Sequence, residues 1–198
     1  MKKFLQLLLL CAFGLTAFSC SDDDEDVKPE KMIDKVIPVE IRKQIERYMP
    51  IYDGENPPVI EGGYNMSPVV LVITSDGQTP PAGLNDIELS FYNQKNNKLD
   101  YNMRTVNGGQ KEAGKGMFIT GNGNNFTAFI ATNGKAAGIA YKSGVIISGT
   151  YDVNGIYNLY WSTVMIDKKD DPNDKLIKKG VYRIFKDKDG WSENSQDL

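Results

Sequence analysis

The sequence predicts an all-β domain. Its antiparallel strands follow one another as a meander and close into a barrel of about 8–10 strands, preceded by one short α-helix. Two observations carry this. From Ile60 onward, turn signals recur at intervals of about ten residues, with β-rich runs between them. No long helical segment separates those runs, which excludes parallel βαβ units.

The helix comes first. Ile41, Ile45 and Tyr48 fall on one face, Glu40, Lys43, Glu46 and Arg47 cover the rest, and Pro38 and Pro50 bracket the segment. Pro57 and Pro58 then impose an extended crossing. The β-runs are 60–74, 86–94, 98–106, 111–120, 125–132, 135–142, 145–151, 156–167 and 176–186. Pro68 predicts a bend inside the first run, because proline cannot donate to a ladder. Asn133-Gly134 and Asn154-Gly155 suit the positive φ of two-residue hairpins.

Alternation assigns the faces. Ile87, Leu89 and Phe91 oppose Glu88, Ser90 and Tyr92, and Leu99, Tyr101 and Met103 oppose Asp100, Asn102 and Arg104. Tyr157, Leu159, Trp161, Thr163 and Met165 form a further inward row. The runs "GVIISG" and "FTAFIAT" are apolar on both faces, so their outer face needs cover from the helix or a partner.

"IEGGY", with Gly62, Gly63 and Tyr64 opening the first strand after a short helix, resembles the G-x-W start of lipocalins and other calycins. The resemblance implies a lipocalin-like barrel across roughly residues 38–186. It also implies a structural pair, in which Arg183 of the last strand closes over the Tyr64 ring.

The leader says where the domain is held. Lys2 and Lys3 precede an apolar core from Phe4 to Phe18, too short for a bilayer span and suited to a secretory signal. Ala17, Phe18, Ser19 and Cys20 resemble the lipobox of bacterial lipoproteins, which implies acylation of Cys20. Asp22, Asp23, Asp24, Glu25 and Asp26 make a solvated spacer. "CSDDDED" also resembles the acidic surface-export signal of lipoproteins in gut Gram-negative bacteria. The expected organisation is a signal peptide over 1–19, a lipidated tether over 20–37 and a domain over 38–198. The expected location is the outer membrane, at the cell surface.

Composition limits the chemistry. Histidine is absent, and the two cysteines, Cys11 and Cys20, both precede the domain. The domain thus lacks an imidazole base, a thiol nucleophile and soft zinc ligands. Without Lys2 and Lys3, 21 basic residues face 26 acidic ones, a net charge of −5 that disfavours nucleic acid. No catalytic residues, metal ligands or cofactor are assigned, and the protein is not expected to be an enzyme. The motif "DDPND" and the stretch Asp187, Asp189, Gly190 read as turns. Two functions remain. One is a barrel holding a small apolar or amphipathic ligand against Leu89, Phe91, Tyr101, Met103 and Trp161. The other is a solid-cored surface module contacting glycan or protein through aromatics such as Tyr92 and Tyr160.

Overall fold

The structure is a computed structural model, and it describes residues 33–195 except Lys35 and 79–82. Cys20, the acids Asp22 to Asp26 and the rest of the leader lie outside the described residues. The domain is mostly β, with one short helix, α1 (Val39–Ile45). The strands are β1 (Glu55–Asn56), β2 (Gly62–Met66), β3 (Val69–Thr74), β4 (Ile87–Lys95), β5 (Lys98–Thr105), β6 (Lys111–Asn122), β7 (Asn125–Ala136), β8 (Ile139–Asp152), β9 (Gly155–Lys168), β10 (Tyr182–Asp187) and β11 (Trp191–Ser195).

Each of β4 to β9 pairs antiparallel with its neighbour in sequence, as a meander requires. The path also returns on itself, since β11 pairs with β2 on one side and with β9 on the other. The result is a ring, β2-β4-β5-β6-β7-β8-β9-β11. β10 lies between β9 and β3 and extends the ring at one end. β2 with β3, and β10 with β11, therefore act as two long bent strands. Pro68, after a cis peptide bond, marks the first bend. Asp187 ties the two bends together, accepting from the Ser67 amide at 3.0 Å and the Ser192 hydroxyl at 2.8 Å.

The inside of the ring is filled. Tyr64, Met66, Leu89, Phe91, Leu99, Tyr101, Met103, Ile119, Phe126 and Trp161 belong to one buried apolar cluster. Ring contacts run from Tyr64 to Phe91 (5.9 Å between centroids) and from Phe91 to Tyr101 (5.8 Å). A second cluster lies outside, where Ile37, Ile45 and Met49 pack with Phe129, Ile146, Val164, Tyr182 and Ile184. The doubly apolar runs of β7 and β8 are thus covered by the helical segment. Met49 replaces Tyr48 in this contact, and Tyr48 is left exposed.

Four expectations change. First, Tyr64 and Arg183 do not meet. Tyr64 lies opposite Leu89 and Asn194, whereas Arg183 lies opposite Thr74 and Thr163. The first and last long strands run antiparallel, so the start of one faces the end of the other, and these residues occupy opposite ends of the ring. Second, neither Asn-Gly pair takes a positive φ: Asn133-Gly134 is strand, with the hairpin turning at Ala137 and Gly138, both with positive φ, and the β8–β9 turn at Asn154-Gly155 forms without it. Gly134 serves a close approach instead: a Cβ there would run into the Tyr141 ring. Third, Tyr157 leaves the inward row. Asn158 takes a left-handed φ of 48°, breaks the alternation and puts Tyr157 on the surface. Fourth, Tyr160 packs against the outer cluster beneath the helix rather than standing free.

Candidate functional site

The strands end in two different ways. At the end defined by Thr74, Gln110, Ala136, Tyr141 and Met165, the ring opens into a recess of about 800 Å³. Its floor and walls include Trp161, Phe185, Tyr141, Gln110, Leu176 and Arg183. The Trp161 and Phe185 rings lie 5.3 Å apart and close off the recess from the apolar interior below.

Strand alternation places these side chains. Trp161, Thr163 and Met165 alternate along β9, and Arg183 and Phe185 along β10. The segment between β9 and β10 supplies Leu176. It is held in shape by Asp171, which accepts from Lys168 Nζ at 2.7 Å and from the amides of Lys175 and Leu176 at 2.8 and 3.0 Å. Lys168 also donates to the Leu176 carbonyl at 3.1 Å and to Asp174 at 3.2 Å. "DDPND" is therefore a turn, one organised by an ion pair.

Beneath the recess lies a buried carboxylate, Glu112, only 3% exposed. It accepts from the hydroxyls of Tyr101 and Tyr141 (both 3.1 Å), Ser143 (3.2 Å) and Thr132 (3.3 Å). Trp161 Nε1 donates to the Tyr101 hydroxyl at 3.0 Å, and Gln110 Nε2 donates to the Tyr141 hydroxyl at 3.0 Å. The chain of donors connects two recess residues, Trp161 and Gln110, to one acid. Burial raises the Glu112 carboxyl above its ordinary value, and the four hydroxyls oppose that shift. Burial and the nearby carboxylate also raise the Tyr101 and Tyr141 phenols, so both stay protonated donors.

Arg183 is the cation built into the wall. Its Nε is buried and has no hydrogen-bond acceptor among the described residues. An unsatisfied buried donor costs about 1–3 kcal/mol. Burial lowers its affinity for the proton, while the Asp76 charge acts the other way. The two form no ion pair; Asp76 Oδ1 accepts from Thr74 at 2.6 Å and from the Gln78 amide at 3.1 Å.

The structure distributes the expected ligand-contacting residues unevenly. Trp161 reaches the recess. Leu89, Phe91, Tyr101 and Met103 are buried at 0%, 1%, 0% and 3% exposure, and Phe91 and Met103 back a second recess of about 790 Å³ beside Glu112. Glu112, Tyr141 and Gln110 were not anticipated. Gly114 and Gly116 blur the alternation of β6 around Glu112, and a register shift between Ala113 and Phe118 breaks it further.

A second feature lies at the opposite ends of β8 and β9. Tyr157 is 49% exposed and packs on Trp191, with centroids 4.4 Å apart. Thr150, Tyr157 and Trp191 fall in one cross-strand row on the outer surface. Among the described residues, no helix is long and apolar enough to cross a membrane. Comparison with known proteins finds no family model, curated protein or solved structure that matches this chain, so its own geometry carries the functional reading.

Proposed function

We propose that the protein is a lipid-anchored binding protein whose ring is a closed, lipocalin-like barrel without the calycin tyrosine–arginine closure, and that a small amphipathic molecule sits in its mouth. The observation that carries this reading is the recess of about 800 Å³ over Trp161 and Phe185. It lies within the range of about 300–1,000 Å³ common for ligand sites, and its lining combines aromatic faces with a few convergent polar groups. The filled interior keeps a ligand out of the centre of the ring.

Calorimetric titration of the full chain with decanol and with decanoate tests the reading. The chain carries Cys20→Ala, so that no acyl chain of its own competes. Saturable binding is expected, with loss of it when Thr163→Phe fills the recess. Absence of binding by decanol and by decanoate alike removes the reading. The better account is then a surface module that stacks a glycan on exposed Tyr157, which Trp191 backs.

In this proposal Cys20 carries the lipid and Asp22, Asp23, Asp24, Glu25 and Asp26 direct the domain to the outer face of the outer membrane. Each buried methylene of an acyl chain contributes about 0.8 kcal/mol, so several chains hold firmly. Cys20→Ala should move the protein from the detergent phase to the aqueous phase. Retention in the detergent phase refutes the anchor.

A further inference from the structure

Resting on the mouth as the binding site, we propose that its ligand carries an oxyanion head group, paired with Arg183, and lays its apolar body against Trp161, Phe185 and Leu176.

The argument starts from charge at the mouth. Three cations line the recess without an ion pair among the described residues: Arg183, Lys175 and Lys178. Two acids line it, Asp174 and Asp76, one fewer than the cations. Asp174 pairs with Lys168. Asp76 accepts from Thr74 and the Gln78 amide, which hold its carboxyl below the usual range. The acid deeper in, Glu112, is shut off by four hydroxyl donors. The surplus that a ligand meets is positive.

Arg183 differs from the two lysines. Lys175 and Lys178 are exposed on the segment between β9 and β10, free to be solvated. Arg183 sits on β10, flanked by β9 and β3, which fixes its backbone on both sides. Its Nε is already withdrawn from solvent and lacks an acceptor. A guanidinium presents a planar fork matched to carboxylate-like oxygens, and its preorganised donors lose little freedom on pairing. The guanidinium thus supplies an anion site next to an aromatic floor, and a molecule that uses both is an amphiphile with an acidic head. A neutral amphiphile would bury the mouth's apolar surface but leave the Nε donor unmet.

The test compares decanoate, decanesulfonate and decanol, each titrated calorimetrically into the full chain carrying Cys20→Ala. The alcohol reports the apolar recess alone, and the two acids add the head group. At least one acid should bind about tenfold more tightly than decanol, the usual yield of a charge-assisted hydrogen bond. The stronger of the two acids identifies the oxyanion geometry that the fork accepts. Arg183→Gln should reduce acid binding to the level of the alcohol, and Arg183→Lys should keep part of the difference. The gap between acid and alcohol should also shrink with added salt, a readout that needs no variant. Equal binding of acids and alcohol overturns the oxyanion inference while leaving the mouth as the site. A salt-independent gap, or one that survives in folded Arg183→Gln, overturns the role of Arg183. Failure of all three ligands to bind removes the site and the inference together.

Discussion

The interior of the ring has two halves made largely from the same strands. Toward Gly62, β2 and β4 to β9 contribute Tyr64, Phe91, Leu99, Ile119, Phe126 and Leu159, which bury one another completely. Toward the mouth β6, β7 and β8 contribute Glu112, Thr132, Tyr141 and Ser143, and β10 beside them adds Arg183. The first half needs no direction beyond shape, since dispersion and burial act between any apolar neighbours. The second half is held by donors aimed at one acid, and it fails if a partner is missing. On the proposed function, selectivity resides in the second half. A packed apolar half stabilises the ring and excludes ligand, while a polar half with one unpaired donor has something left to offer.

The largest expected effect comes from breaking the packed half. Phe91 bridges Tyr64 and Tyr101, and it is buried to 1% exposure. Phe91→Ala should cost about 3–5 kcal/mol, read from the shift in urea midpoint. A loss below about 1 kcal/mol would show that this half is not close-packed.

A smaller effect sharpens the contrast from the polar side. Because burial raises the folded-state pKa of Glu112, the folded protein holds that proton more tightly than the unfolded chain. Its contribution is fully present below the ordinary carboxyl range and is lost as pH rises through the raised folded value. Glu112→Gln cannot titrate, so its stability should decline less steeply over that window. Near neutral pH the variant should gain on the parent protein; at low pH the two should agree within about 1 kcal/mol. Parallel stability–pH curves would refute a buried, proton-linked Glu112.

Much of this was legible in the residues. Alternation in "IELSFY" and "LDYNM" puts Leu89, Phe91, Leu99, Tyr101 and Met103 inside, and all are buried. The doubly apolar "GVIISG" and "FTAFIAT" demanded outer cover, and the helical segment provides it. What failed did so for local reasons. Asn158 turned Tyr157 outward through one left-handed residue, and two glycines hid Glu112. Gly134 resembled a turn because glycine serves turns and close approaches alike, and here it admits the Tyr141 ring. A last strand over 176–186 would end near Arg183 and face Tyr64, but the strand begins at Tyr182 and continues through β11 to Ser195, so Arg183 falls at its start, away from Tyr64.

By itself, the sequence determined the meander of β4 to β9, the inward face of most strands and the need for a helical cover, because periodicity and turn chemistry act over a few residues. Only the tertiary structure decided whether inward side chains meet or leave a hollow, because that depends on how strands far apart in sequence converge. Leu89 and Trp161 are both inward, yet one is walled in and the other floors the mouth. The same convergence brings Glu112 from β6 to Tyr101, Thr132, Tyr141 and Ser143 of three other strands, and leaves Arg183 of β10 with a buried donor and no acceptor.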